Sequence, residues 1–400
     1  MKSYLKSFVV LNVLILGLVL VNLIPNSFIY KNLCESATYY KENIDKIFDK
    51  GAEPGADMNQ LNIMMNVDSK HPIYSALIDP IYGKTSSFMD ADNGYNTIMY
   101  GYSANNDYSR YWHGYQIIYR PLLAILNASQ IMKISWVIYV VLLILLVKNL
   151  RKSYDNYSIT ALLVMNIIYI LPHGFASLTY IPLFYIMLLA VYLVGCTDIE
   201  PVYIFSIVGL LTAFFDFLTV ETLAISVPFL FLIYRCYKEG NLGFINFVKC
   251  GLSWLFWYCF PYVYKWGITT LIYKENYFKK AFEEIGKYDS MFGRLMSVKV
   301  NINNLLFGVV SYNASIYIMI ALAVIVLLVI YLFRKEGTEK CLISIFIVCL
   351  IPYIRYLVLA GHSYQHSYFE YRAQIVLIPA VVMLFYICFG KCKKIGDSNG

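Results

Sequence analysis

Ten long apolar runs constrain the fold of this chain more than any other feature of its sequence. Each run holds about 16 to 22 residues, enough for a helix to cross roughly 30 Å of hydrocarbon. Because lipid offers no hydrogen-bond partner to the backbone, such a run folds as a helix. The sequence therefore predicts an all-α polytopic membrane protein whose spans are residues 8–24, 131–147, 157–173, 179–196, 202–217, 218–234, 251–272, 314–333, 341–360 and 374–390.

Composition agrees with this class, because 59% of the residues are hydrophobic and only 14% are charged. Soluble domains are nearer 45–50% apolar and about 25% charged. The first run follows Lys2 and Lys6 and has no small-residue cleavage site, so we expect an uncleaved signal anchor. The stretch 202–234 is too long for one helix and holds Asp216 and Glu221 near its middle. It predicts two short helices joined at FDFLTVE, since charges at the centre of one span would be costly.

The distribution of lysine and arginine predicts the orientation of these helices. If both termini are cytoplasmic, bases gather at the inner helix ends, as the positive-inside rule requires. The net charge of +7 is thus explained by membrane orientation, and we expect no nucleic-acid partner. The bases at the predicted inner ends are Lys2, Lys6, Lys148, Arg151, Lys152, Arg235, Lys238, Lys249, Arg334, Lys335, Lys340, Lys391, Lys393 and Lys394.

This orientation predicts one integral membrane domain over residues 1–400. After the first helix, residues 25–130 form an external loop with interfacial helices. Nine further spans occupy residues 131–390, with a second external loop at about 273–313. Residues 391–400 form a basic cytoplasmic tail. In this orientation the five histidines, Asp216, Glu221 and Arg372 fall on or near the outer side. We therefore expect chemistry or binding at the outer face.

The string RYWHGYQIIYRPLLAILN, residues 110–127, predicts an interfacial helix. Tyr111, Tyr115, Ile118 and Leu122 recur at helical spacing, and aromatic rings commonly anchor at headgroup depth. An aromatic belt explains the rings but explains His113, Arg110 and Arg120 less well. Arginine at an outer surface suits phosphate recognition, so these three residues are candidates for substrate binding.

Charged residues inside or between apolar runs supply further candidates. Asp216 and Glu221 form either a solvated hairpin tip or a carboxylate pair that faces an outer cavity. Lys265 must snorkel, face water or pair with an acid, because an unpaired buried lysine is costly. Asp216 and Glu221 are its expected partners.

The string GHSYQHSYFEYR, residues 361–372, places two of the five histidines beside a glutamate and an arginine. His362, His366 and Glu370 are spaced by four, so they share a face if the last helix begins within this string. Neither an HExxH motif nor an obvious third ligand supports zinc. The string therefore predicts a phosphate or sugar clamp led by His366 and Arg372.

Known nucleotide and hydrolase motifs are absent from the sequence: GxxxxGK[ST], GxGxxG, GxSxG and CxxC. Any transferase here should therefore take its group from a donor in the membrane or outside it. The string DADNGYNTIMYG, residues 90–101, begins like a calcium loop, but Gly94 and Gly101 fall at the wrong positions. Asp90 and Asp92 are expected either to chelate a cation loosely or to lie in a solvated turn.

The arrangement of a first helix, a long acidic external segment and many further spans resembles the GT-C superfamily of integral membrane glycosyltransferases. The strings RYWHGYQIIYRPLL, FDFLT, WYCFPYVYKW and HSYQHSYFEYR are also similar to those of uncharacterised polytopic proteins from low-GC bacteria. The GT-C resemblance implies a polyprenyl-phosphate sugar donor, a cell-envelope acceptor and contact with membrane lipids. It implies an acidic base in the first external segment, for which Asp57 and then Asp68 are expected. It also allows a divalent cation, Mg or Mn.

In this scheme the developing phosphate charge is held by cations, with Arg110, Arg120, Lys265, His366 and Arg372 as candidates. Two other functions compete with it. A transporter or flippase of lipid-linked glycans would have repeated halves with polar residues near the midplane. An envelope acyltransferase would use histidine as its base.

Overall fold

The computed structural model describes residues 2–49, 52, 54–78, 81–83, 90–152, 154–216, 218–286, 291–306 and 315–389. Within these ranges the protein is almost entirely helical. One segment, Asn166–Gly174, is a π-helix, and another, Tyr371–Val376, is a 3-10 helix. Two short strands, β1 (Ile81–Tyr82) and β2 (Asn106–Asp107), pair antiparallel with Ile81 opposite Asp107.

The helices, in chain order, are α1 (Lys2–Val21), α2 (Asn26–Glu42), α3 (Ile44–Asp49), α4 (Pro54–Met65), α5 (Pro72–Leu77), α6 (Asp90–Tyr100), α7 (Gln116–Leu123), α8 (Ala128–Leu150), α9 (Asn156–Met165), α10 (Ile181–Cys196), α11 (Pro201–Phe215), α12 (Glu221–Lys238), α13 (Phe244–Tyr273), α14 (Tyr277–Gly286), α15 (Met291–Leu305), α16 (Ser315–Phe333), α17 (Glu339–Val358), α18 (Ala360–Gln365), α19 (Ser367–Glu370) and α20 (Leu377–Phe389).

The all-α class predicted from the apolar runs is confirmed, and all ten runs coincide with helices over their described residues. Five helical stretches of the described chain are long and apolar enough to cross a membrane: Tyr4–Val21, Ala128–Leu150, Asn156–Gly174, Glu339–Val358 and Ser367–Phe389. The count of ten spans and their orientation stay predictions. The basic tail at 391–400 lies outside the described residues, as do parts of the second external loop.

The prediction of two helices in residues 202–234 is confirmed. Helix α11 ends at Phe215 and α12 begins at Glu221, so the two carboxylates lie at the joint rather than inside a continuous helix. Asp216 accepts hydrogen bonds from the backbone N–H of Thr219 at 3.0 Å and from its hydroxyl group. The carboxylate therefore closes the turn between the two helices, as aspartate often does at such positions.

The prediction of a helix over residues 110–127 is wrong for its first part, because α7 begins only at Gln116. His113 adopts a left-handed backbone conformation, with φ of 53°. The next residue, Gly114, donates its backbone N–H to the carbonyl oxygen of Phe214 at 2.9 Å. A contact with α11 therefore fixes residues 110–115 in a non-helical path, which helical spacing of aromatic residues does not reveal.

The segment between α1 and α8 packs across one end of the helical bundle. Helix α2 contacts α4, α6, α7 and α8, while α1 contacts α5, α7 and α11. Arg120 connects α7 to the ends of α1 and α4, since its guanidinium donates to the carbonyl oxygens of Val21, Ile24 and Met64. These three carbonyls lie in or near the ends of α1 and α4, where helical carbonyls lack partners of their own. Arg120 is thus fully buried as a structural clamp.

We predict that Gly114→Ala destabilises the protein. A Cβ atom at this position would lie 2.4 Å from the carbonyl oxygen of Phe214 and 2.2 Å from its ring, so the loop would have to move. We expect a loss of about 1–3 kcal/mol, typical of overpacking, measured by thermal unfolding in detergent. The matched control is Gly251→Ala in α13, where the nearest atom would be 3.9 Å away. Equal unfolding temperatures for the two variants would contradict the proposed contact.

Candidate functional site

A buried ion cluster lies where α12, α17, α18 and α19 meet, and Arg355 is at its centre. The Arg355 Nε donates to Glu221 Oε1 at 2.6 Å, and Nη1 donates to Glu370. Nη1 also contacts the Ser363 hydroxyl at 2.6 Å, and Nη2 donates to the Leu218 carbonyl at 2.9 Å. The side chains of Arg355, Glu221 and Glu370 are only 8%, 3% and 1% exposed. We name these three residues and His362 the Arg355 cluster.

His362 extends the cluster toward solvent. Its Nδ1 hydrogen-bonds to Glu370, and its side chain is 25% exposed. Because a carboxylate only accepts, this bond places the proton of a neutral imidazole on Nδ1 and leaves the Nε2 lone pair available. Burial and the charge of Arg355 lower the pKa of His362 well below its usual value. At neutral pH the ring is therefore neutral and competent to accept a proton.

The predicted spacing of His362, His366 and Glu370 does bring these residues together, although not on one helix. The helix is interrupted at His366, which lies between α18 and α19. The two histidine rings are 4.6 Å apart, and His366 also lies 5.2 Å from the Phe369 ring. Burial lowers the pKa of His366 to about 4, so this ring too is neutral at pH 7.

Arg372 lies beside the cluster, and its role as a clamp with His366 stays a prediction. Its guanidinium stacks over Tyr180 at 4.5 Å and Tyr371 at 5.4 Å, and Nη1 donates to the Phe369 carbonyl at 3.1 Å. The whole side chain is buried. The aromatic stacking and the backbone bond give Arg372 a role in holding α19 against the segment before α10.

Lys265 is buried and hydrogen-bonded, but the expected pairing with an acid is wrong. Its Nζ donates to the backbone carbonyl of Tyr111 and lies 5.3 Å from the Trp112 ring centre. Trp112 in turn donates to the Pro261 carbonyl at 2.7 Å. The expected pairing with Asp216 or Glu221 is replaced by these contacts, which bind the loop before α7 to α13.

The remaining candidates of this loop are His113 and Arg110. His113 is buried between the Tyr115 hydroxyl at 3.2 Å and the Tyr108 carbonyl at 2.8 Å, a structural arrangement. Burial and the Lys265 ammonium lower its pKa well below the usual value. Arg110 stacks on Tyr108 at 4.5 Å, and its charge also contributes to the lowered pKa of His362. Of the two, Arg110 is the one that acts on the Arg355 cluster.

Asp57 is buried and anchors the segment before α10. Its carboxylate accepts from the hydroxyls of Tyr40, Ser177 and Thr179 at 2.7, 2.7 and 2.6 Å. It also accepts from the backbone N–H groups of Leu178 and Thr179 at 3.0 and 2.9 Å. Burial raises the pKa of Asp57, although these donors oppose the rise. With both oxygens occupied and no exposed surface, Asp57 has the geometry of a structural anchor rather than that of an accessible base.

Asp68 lies in an exposed turn. It accepts from His71 Nδ1 at 2.7 Å and from the Lys70 backbone N–H at 2.9 Å. The hydrogen bond from His71 lowers the pKa of this carboxyl. These local contacts account for Asp68 within its own turn, away from both Asp57 and the Arg355 cluster.

Sequence reasoning missed Arg355, the residue on which the cluster depends. The signal was present, because Arg355 is a lone arginine in the apolar run 341–360, as Lys265 is in the run 251–272. An ionisable residue inside an apolar helix is by default a functional candidate. Sequence reasoning also missed Ser177 and Thr179. Their hydrogen bonds to Asp57 join positions more than a hundred residues apart.

Among the described residues, no three metal-ligating side chains lie close enough together to hold an ion. The segment that begins like a calcium loop forms helix α6, and Asp92 contacts Lys41.

A separate cleft of about 800 Å³ lies between α2–α3 and the adjoining ends of α8 and the π-helix. It is lined by both apolar and lysine side chains, among them Lys46, Lys133 and Trp136.

We predict that Asp57→Asn destabilises the fold. An amide of the same shape supplies one acceptor atom and two N–H groups, so it cannot accept from all five donors. The expected loss is about 3 kcal/mol or more, because hydrogen bonds to a charged group are strong, and thermal unfolding measures it. Asp68→Asn is the control and should be close to neutral. If Asp57→Asn unfolds like the parent, the carboxylate is free for another role.

Arg355→Leu should also destabilise, because it leaves Glu221 and Glu370 buried without their cation. Removing one partner of a buried ion pair costs about 3–5 kcal/mol. Neutralising both acids in the triple variant Arg355→Leu, Glu221→Gln, Glu370→Gln should recover part of this loss, as measured by thermal unfolding. Arg334→Leu, at an exposed position, is the control. A single variant as stable as the parent would show that the cluster carries no net stabilisation.

Comparison with known proteins gave no match: no family model, no curated protein and no solved structure is similar to this chain. The resemblance to GT-C glycosyltransferases therefore stays a prediction.

Proposed function

We propose that this protein is a membrane glycosyltransferase that moves a sugar from a polyprenyl-phosphate donor to a hydroxyl of a cell-envelope acceptor at the outer face. One observation carries the proposal. His362, partly exposed, is held through Nδ1 by the buried Glu370, which is itself paired with Arg355. A base oriented by a third group in this way is the arrangement that activates a hydroxyl nucleophile.

Each member of the cluster has a definite task in this mechanism. Glu370 fixes the tautomer and orientation of His362 and stabilises the imidazolium that forms when His362 takes a proton. Arg355 pairs with Glu370, and Glu221 balances the charge of Arg355. Only His362 touches the substrate, so the other three are positioning residues.

The reaction balances without a further reagent. The acceptor oxygen forms a bond to the anomeric carbon while the bond from that carbon to the phosphate oxygen breaks. The electron pair of the broken bond leaves with the lipid phosphate, and the acceptor proton passes to His362 Nε2. Because a phosphate is a weak base, its departure needs positive charge rather than a strong general acid. Arg110, whose charge already acts on His362, is the candidate cation.

The same dyad favours a second candidate, an envelope acyltransferase with His362 as its base. In that case the group transferred is an acyl group and the donor carries an ester or thioester in place of a phosphate. The base assignment is common to both reactions, so the donor decides between them. A flippase, in contrast, would move the lipid-linked glycan without breaking any bond.

We predict that His362→Gln lowers transfer from polyprenyl-phosphate sugars by about 10²–10⁴-fold, the usual contribution of a general base. Product formation by the purified protein in liposomes measures this. His71→Gln is the control, because His71 is an exposed histidine paired with Asp68. Full activity of a folded His362→Gln variant would overturn the base assignment. Lipid translocation without sugar release would overturn the transferase proposal itself.

The pH profile of the parent enzyme gives a further readout of the same prediction. A base works in its deprotonated form, and the pKa of His362 is lowered. The acidic limb of the rate profile should therefore fall below pH 6.5, the usual histidine value. A limb centred at or above that value would contradict a buried base beside Arg355.

A further inference from the structure

We infer that Arg372 binds the carboxylate of an acidic sugar, such as a uronic acid, in a buried site beside the Arg355 cluster. Three tyrosines surround its guanidinium. The ring centres of Tyr180 and Tyr371 lie 4.5 and 5.4 Å from the guanidinium carbon, and Tyr169 is the third. Under the proposed function, on which this step rests, the sugar is part of the acceptor, so the transfer reaction gains a defined class of acceptor.

Two N–H donors of this guanidinium are the first observation that favours a ligand. Arg372 is fully buried, yet its Nε and Nη2 atoms have no hydrogen-bond partner among the described residues. Its Nη1 atom donates to the Phe369 carbonyl at 3.1 Å. The nearby Tyr169 hydroxyl donates instead to the Tyr371 hydroxyl, at 3.3 Å. Because a buried charged donor without an acceptor is costly, Nε and Nη2 favour an acceptor supplied by a ligand.

Arg120 shows how a structural arginine is buried in the same fold. Its Nε, Nη1 and Nη2 atoms donate to the carbonyl oxygens of Val21, Met64 and Ile24. Backbone acceptors thus satisfy all three nitrogens of Arg120. Arg372 has such an acceptor at one nitrogen only among the described residues. A role in packing α19 therefore explains Nη1 and the stacked rings, but it does not explain the other two donors.

The geometry of the two donors matches a carboxylate. Nε and Nη2 lie side by side on one edge of the planar guanidinium, and such an edge binds the two oxygens of a carboxylate through parallel hydrogen bonds. The rings of Tyr169 and Tyr371 are partly exposed, so they form the side from which a ligand would enter. Aromatic walls around a few convergent polar groups are typical of small-molecule sites.

The charge of the site matches a monoanion. Among the described residues no carboxylate pairs with Arg372. Burial lowers the pKa of His366 to about 4, so His366 adds no charge at pH 7. Arg355 is already paired with Glu221 and Glu370. One carboxylate therefore neutralises the site, whereas a phosphate monoester, with about −1.5 to −2 charges, would leave negative charge buried.

The site lies next to the proposed base. The Phe369 carbonyl accepts from Arg372, and the Phe369 ring lies 5.2 Å from the ring of His366. The His366 ring lies 4.6 Å from that of His362. Two aromatic side chains therefore separate the guanidinium from the base, so an acceptor held at Arg372 by its carboxylate would extend toward His362.

A titration of the full-length protein in nanodiscs with glucuronate tests this site. The unfolding temperature reports binding, because a ligand of the folded state raises it. The parent protein should respond to glucuronate but not to glucuronamide, its uncharged amide. Arg372→Lys keeps the charge but loses the paired donors, so binding should be about 10-fold to 100-fold weaker, the contribution of one hydrogen bond to a charged group. Arg334→Lys, at an exposed position, is the matched control and should leave affinity unchanged.

The comparison of the two sugars uses the parent protein, so it decides the matter even if Arg372→Lys does not fold. Equal binding of glucuronamide, equal competition by inorganic phosphate, or unchanged affinity in a folded Arg372→Lys variant would overturn the carboxylate site. Glucuronate binding without transfer from polyprenyl-phosphate sugars would remove the proposed function and leave the site in place. Transfer with the same KM to neutral and to glucuronate-bearing acceptors would do the reverse.

Discussion

The hydrogen-bonded, buried carboxylate of Asp57 is the interaction on which one end of the molecule depends. A charge removed from water is costly unless hydrogen bonds replace its hydration. Here five donors do so, one from α2 and four from residues 177–179. The segment between α1 and α8 is therefore bound to the connection before α10 by one carboxylate with both oxygens hydrogen-bonded. Tyr180, the next residue in that connection, stacks under Arg372.

The Arg355 cluster also compensates buried charge with nearby polar groups, but its role is different. Its ions come from α12, α17 and α19, so these helices are fixed to one another at the end of the molecule that also holds Asp57. Unlike Asp57, however, the cluster reaches the protein surface through His362. A buried charge that is fully bonded stabilises a fold, whereas a buried charge that orients a partly exposed histidine prepares it for proton transfer.

The sequence predicted the helices well because hydrophobic runs are a local signal. It also predicted the break at FDFLTVE, since charge is not tolerated in the middle of a span. It failed over residues 110–115. There the hydrogen bond from the Gly114 N–H to the Phe214 carbonyl determines the backbone path, and the helical spacing of the side chains does not. Contacts between distant segments have no local signature, so the partners of Lys265, Arg120 and Asp57 could not be read from spacing.

The candidate site was predicted in part for the same reason. The four-residue spacing correctly placed His362 and Glu370 together. They do not share one helix face, however, because the helix is interrupted at His366. Glu221 was a candidate, but its partner Arg355 is 134 positions away in the chain. Composition alone gave no reason to separate a bonded carboxylate such as Asp57 from a reactive one.

The choice of base follows from how many acceptor positions remain open. A carboxylate offers about four lone-pair positions, and Asp57 uses its two oxygens for five donors with no route to solvent. An acceptor hydroxyl would have to displace one of them. At His362 the Glu370 contact occupies only Nδ1, and the exposed part of the ring leads outward. Residues 175–180 run from the lysine-lined cleft to the aromatic contacts of Tyr180 beside the cluster. Through Ser177 and Thr179, Asp57 thus holds the segment that carries Tyr180 against Phe369 beside the cluster.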